Sequence, residues 1–72
     1  MAKKLYPNRL RIILAEKNVK NHWLATEMGV TDMTVSRWCT NRIQPSISQL
    51  VQMSMLLDTE MEKFIDTSVD LV

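Results

Sequence analysis

The sequence predicts an all-α fold, a compact bundle of five short helices, and three observations carry that prediction. One glycine (Gly29) and two prolines (Pro7, Pro45) in 72 residues leave too little turn chemistry for a small β fold. Apolar residues recur at three- and four-residue spacing, as on one face of a helix. Two stretches, Ser46-Ile47-Ser48-Gln49 and Thr59-Glu60-Met61-Glu62, have the form of a capping box that opens a helix. With 46% hydrophobic and 24% charged residues the chain is expected to fold as one domain over residues 1–66, followed by a loose tail at 67–72. A domain of this size buries only roughly 60% of its unfolded surface, so an oligomer partner would help it.

Taken in order, the first helix is placed at about 7 to 17, where Leu10, Ile13, Leu14 and Lys17 follow helical spacing. Pro7 suits its first turn, and Asn18 can close it in the left-handed conformation. The second runs from about 21 to 28 with Leu24, Ala25 and Met28 inward, and ends at Gly29, which takes positive φ without steric cost. The third, about 31 to 40, is capped by Thr31 and carries Val35 and Trp38 three residues apart. An irregular stretch, Asn41-Arg42-Ile43-Gln44, precedes Pro45. The fourth helix opens at the Ser46 capping box, with Ile47, Leu50, Val51, Ser54 and Leu57 on one face. The fifth opens at Thr59 and turns Met61, Phe64 and Ile65 inward.

Several function classes are excluded by what is missing. Cys39 is the sole cysteine and His22 the sole histidine, so the sequence has neither an intramolecular disulfide nor a zinc-ligand cluster. It contains no paired acid and base, no activated nucleophile and no phosphate-cradling glycine loop, so no enzyme and no cofactor are expected. The longest apolar run, Ile12 to Ala15, is far short of the roughly 18 to 20 residues that span a bilayer, and the start at Met1 does not resemble a signal peptide. A cytoplasmic, nucleoid-associated protein is expected.

The net charge of +1 conceals an asymmetry. Residues 1–45 carry eight basic groups against three acids, a net of +5; residues 46–72 carry one against five, a net of −4. Such a division gives an electrostatic front and back, the front facing a polyanion; an ordinary solvated surface is the alternative.

The stretch from Leu24 to Trp38 has a mechanical reading. One helix packs Leu24, Ala25 and Met28 inward, the chain turns at Gly29, Val30 tucks under the turn, and Thr31 starts a second helix anchored by Val35 and Trp38. Asp32, Met33, Ser36 and Arg37 are left outside. This is a helix-turn-helix, its second helix presented for insertion in a DNA major groove. Over about residues 8 to 66 the sequence resembles the lambda-repressor/Cro-like (XRE-type) helix-turn-helix family. The matching features are Leu24-Ala25, Gly29-Val30-Thr31, Val35-Ser36-Arg37-Trp38, Pro45 before the fourth helix, and the ending from Leu57-Asp58 to Ile65.

The resemblance implies a non-catalytic, repressor-like transcriptional regulator, commonly a homodimer on a double-stranded palindromic operator. It implies base contacts from Asp32, Met33, Thr34 and Arg37, and phosphate contacts from Lys20, Asn21, Thr31, Ser36, Asn41 and Arg42. Lys20 stands where the family has serine or threonine, so Asn21 is the candidate N-cap of the second helix. Asn41 replaces the usual glycine after the third, and Cys39-Thr40 the common glutamate and asparagine.

Each residue also has a plainer reading. Arg37 can pair with guanine or simply neutralise phosphate. Asp32 is favourable to the helix dipole without any ligand, or accepts from a cytosine amino group. Met33 can contact a thymine methyl or be an exposed methionine. Trp38 is expected in the core, and Trp23 packed against the first helix, the alternative being partial exposure near the phosphate path. His22 can add a phosphate contact. Cys39 reads as a partly buried small residue, with a redox sensor as the alternative, and Met28, Met53, Met55 and Met61 as core filler. Lys3, Lys4, Arg9 and Arg11 are either solvated or follow the DNA backbone. Met55, Leu56, Val69, Leu71 and Val72 exceed what one core needs and point to a dimer contact near the fifth helix. A rival reading is an antitoxin-type module that binds a second protein through the Leu56 to Val72 region, with DNA binding secondary.

Overall fold

The structure, a computed structural model, describes residues 7–66. Lys3, Lys4, Val69, Leu71, Val72 and the rest of the predicted tail lie outside the described residues. Four α-helices follow one another: α1 (Leu10–Glu16), α2 (Asn21–Met28), α3 (Asp32–Cys39) and α4 (Ile47–Leu56). The predicted fifth helix is a single 3-10 turn, Met61–Phe64. Among the described residues there is no strand, only one isolated bridge between Asn8 and Ile65. None of the described helices is long and apolar enough to cross a membrane.

That bridge explains both departures from prediction. The Arg9 N–H donates to the Phe64 carbonyl at 2.8 Å and the Asp66 N–H to the Pro7 carbonyl at 2.8 Å. Residues 7–9 are thereby held against 64–66, so α1 starts at Leu10 and not at Pro7, with the Leu10 N–H satisfied by Asn8 Oδ1 at 3.0 Å. The partner segment must straighten to pair, which leaves room for only one turn after Glu60. The expected Thr59 capping box does not form. The Thr59 hydroxyl donates to the Leu57 carbonyl at 2.9 Å, and Glu60 occupies the cap position without a side-chain bond.

All four α-helices end the same way. Asn18 (φ 57°), Gly29 (φ 68°), Asn41 (φ 60°) and Asp58 (φ 49°) are left-handed. In each case the following N–H reaches back five residues: Val19 to Leu14, Val30 to Ala25, Arg42 to Arg37 and Thr59 to Ser54. Asn and Asp tolerate this conformation through their short polar side chains, so one glycine suffices for four helix ends. A Cβ on Gly29 would have nothing within 4 Å, so backbone conformation and not space selects glycine there.

The core contains Leu10, Ile13 and Leu14 of α1, Leu24 and Ala25 of α2, Val35 and Trp38 of α3, Leu50 and Met53 of α4, then Leu57 and Phe64. Val19, Met28, Val30, Cys39, Leu56 and Ile65 pack around it. Side-chain burial departs from expectation at five residues. Trp23 is 42% exposed. In α4 the buried row is Leu50, Met53 and Leu57, while Ile47 (71% exposed) and Val51 (40%) face outward. Met55 and Met61 are exposed and do not fill the core. The reason lies in α4 itself: apolar residues stand nearly all round it, so periodicity does not select the face, and contact with α2 and the 3-10 turn does.

Candidate nucleic-acid interface

The outer face of α3 is built from both its ends. At the start, the Thr31 hydroxyl accepts the Thr34 N–H at 3.1 Å and shares a hydroxyl-hydroxyl bond with Thr34 at 2.9 Å. Along the helix, Val35 and Trp38 are fully buried three residues apart, and this fixes the rotation of α3 about its axis. Asp32, Met33 (60% exposed), Ser36 and Arg37 are consequently outside.

The end of α3 is held by a network that the sequence reading missed. Asn8 is the buried polar residue of the described chain. Its Nδ2 donates to the Trp38 carbonyl at 2.8 Å and to Gln44 Oε1 at 2.7 Å, and its backbone N–H donates to Asn41 Oδ1 at 2.7 Å. Gln44 Nε2 also donates to Asn41 Oδ1, at 3.0 Å. The segment before α1 is thus tied to the last turn of α3 and to the loop after it. Nothing in helical periodicity marks Asn8.

Two shallow grooves flank α3. One is lined by Met33, Ser36, Arg37, Thr40, Arg42 and Ile43. The other, toward α1 and α2, includes Arg11, Lys20, Asn21, Ser36, Cys39 and Thr40. Ser36 and Thr40 belong to both, so this edge of α3 is a ridge with Arg37 and Arg42 on one side and Arg11 and Lys20 on the other. None of these four cations is engaged in an ion pair among the described residues. Arg11, open to either reading in the sequence, stands here beside Lys20 and Asn21.

Lys20, and not Asn21, occupies the N-cap of α2, with an extended backbone and no side-chain cap bond. Asn21 is the first helical residue, and its Oδ1 accepts a long bond of 3.9 Å from Cys39 Sγ. Half-buried Cys39 has its thiol pushed up from its ordinary value by burial, with Arg11 acting in the opposite sense. A thiol held protonated in this way lacks the thiolate character of a redox sensor. Asp32 is engaged by His22, whose Nδ1 lies 3.0 and 3.1 Å from its two carboxylate oxygens. Among the described residues there is no group of three or more potential metal ligands.

A helix stopped at Gly29, a second helix anchored by a buried pair, and an unpaired basic rim define a helix-turn-helix DNA-binding domain. The chain belongs to the helix-turn-helix family HTH_3, whose model matches residues 10–64, more than half its length. Its fold is similar to that of a candidate DNA-binding protein from Bacteroides fragilis, with a TM-score of 0.84 and 42% identity over 86% of this chain and all of that one. A transcriptional regulator from Listeria innocua shares the fold with a TM-score of 0.69 at 20% identity, over 90% of this chain and 64% of that one. No curated protein sequence matches the chain.

Proposed function

We propose that the chain is a sequence-specific transcriptional regulator of repressor type that inserts α3 in the major groove of an operator as a homodimer. The observation that carries this reading is the ridge of α3 between two grooves, flanked by four cations that form no ion pair among the described residues. Asp32, Met33, Thr34 and Arg37 are assigned to base edges. Lys20, Asn21, Thr31, Ser36, Asn41 and Arg42 are assigned to phosphates, and Arg11 joins them. Asn21 does not cap α2, and with its Oδ1 accepting from Cys39 Sγ its Nδ2 is the donor offered for this role. Asn41 has most of its amide engaged by Asn8 and Gln44 and contributes one remaining N–H.

The dimer contact is assigned to α4. From Ile43 to Leu57 no side chain is ionisable, and Ile47, Val51 and Met55, spaced i, i+4 and i+8, form an exposed apolar row. Two copies meeting there bring no like charges together, which suits the self-complementary patch of a two-fold dimer. Meeting on residues 57–66 would oppose Asp58, Glu60 and Glu62 to their own copies. Recognition helices of such a dimer would read half-sites about 34 to 36 Å apart.

Binding titrated against salt tests the DNA reading. Arg42→Ala should flatten the log-log slope by about 1, whereas Arg37→Ala should also relax base preference. A flat salt response in the unmodified chain sinks it. Light scattering of Met55→Lys tests the dimer, with a monomer of unchanged helicity expected. If the unmodified chain is itself monomeric and α4 instead holds a different protein, the antitoxin-type reading replaces the dimer.

A further inference from the structure

An acid on the helix that faces a polyanion is out of place. Asp32 is the first residue of α3, its side chain is 64% exposed, and every phosphate that approaches the motif repels it. Its one partner is His22, the second residue of α2, whose ring is 78% exposed. An ionised carboxylate only accepts, so the Nδ1 that lies 3.0 and 3.1 Å from the two oxygens carries the hydrogen. Nε2 is then the pole left open to solvent. In the neutral ring Nε2 is an acceptor and has nothing to offer a phosphate; in the charged ring it is a donor.

We infer that DNA binding by this chain takes up a proton at His22, whose imidazolium bridges the Asp32 carboxylate and a backbone phosphate. The inference rests on the DNA-binding reading above. Between two anions the ring is stable only in its charged form, and once charged it cancels the repulsion that Asp32 exerts. Asp32 is thereby tolerated on the interface, with its carboxylate held in one position. Of the elements packed against α2, α4 carries no ionisable side chain, α3 carries Asp32 and Arg37, and α1 carries Arg11 and Glu16, the latter lining a separate groove with Lys17 and Asp58. On its own side of the motif Lys20 and Glu27 are exposed, and Glu27 forms no ion pair with the ring.

Fluorescence anisotropy of the full chain on a labelled duplex, chosen by selection from a random pool and measured at fixed salt from about pH 5.5 to 8.5, tests this. On the alkaline side of the imidazole range the logarithm of the affinity should fall with a slope approaching −1 per pH unit for each bound protomer, and so about −2 for a dimer. His22→Gln should remove the slope. A nonspecific duplex should show the same slope, because the contact is to phosphate. A flat profile for the unmodified chain, or a slope that survives in His22→Gln, overturns the inference while leaving DNA binding intact. A slope seen only on the selected duplex overturns the phosphate contact in favour of a base. Absence of binding at every pH overturns the DNA-binding reading, and the proton linkage with it.

Discussion

Residues 7–45 and residues 46–66 fold by the same rules and present opposite surfaces. In the first region the buried face of the recognition helix is set by few residues. Val35 and Trp38 have no apolar competitor except Met33 on α3, so the inward face is unambiguous and the polar remainder forms a basic rim. In the second, α4 is apolar nearly all round, and its surplus row of Ile47, Val51 and Met55 stays outside. The first region is specified by which residues are buried; the second is specified by what buries them. The first presents cations that form no ion pair among the described residues, and the second presents a helix without an ionisable side chain.

The contrast can be broken most severely at Trp38. Trp38→Ala opens a cavity under α3 and should cost about 3 to 5 kcal/mol in urea denaturation, enough to unfold much of a domain this small. Next comes Asn8→Ala, which leaves the Trp38 carbonyl with the Asn41 N–H alone and removes the side-chain bonds to Gln44 Oε1 and the Leu10 N–H. A loss of about 2 to 3 kcal/mol is expected, and protection of the 38–44 amides against hydrogen exchange should fall before that of α4. A loss spread evenly over both regions would show that Asn8 does not serve α3 in particular.

The two side-chain caps compare the regions directly. Thr31→Ala and Ser46→Ala should each cost about 1 kcal/mol of stability, but only the Thr31 change should also weaken DNA affinity. Equal effects on binding would erase the functional distinction between the regions. The smallest effect is expected at Glu62, whose carboxyl is raised above its ordinary range by a hydrogen bond with Glu60 and by the charge of Glu60. A raised acid is favoured protonated in the folded state, so its contribution to stability is present at low pH and is lost as pH rises through that raised value. Glu62→Gln should therefore leave the thermal midpoint unchanged in acid and raise it slightly at neutral pH, as scanning calorimetry would show.

Much of the helix-turn-helix was legible in the sequence because its signals are local. α2 is found at 21–28 as expected, Thr31 and Ser46 cap as expected, and Asn18, Gly29 and Asn41 are left-handed as expected. Asp58 gave no such signal, and its left-handed conformation appears only with the structure. Arg37, Met33 and Asp32 were placed outside by the buried pair alone. What was missed depends on pairs far apart in the chain: Asn8 with Trp38 and Gln44, Arg9 with Phe64, and His22 with Asp32.

The sequence by itself determined the all-helical class, the number of α-helices up to the last, their caps and stops, and the division of charge. These follow from propensity, capping and steric rules that act within about one turn. Only the tertiary structure decided where α1 begins, why the final helix is a single turn, which side of α4 is buried, and that Trp23 is not. Each of those is a choice between locally equivalent options, settled by which backbone donors and which apolar faces find partners across the fold.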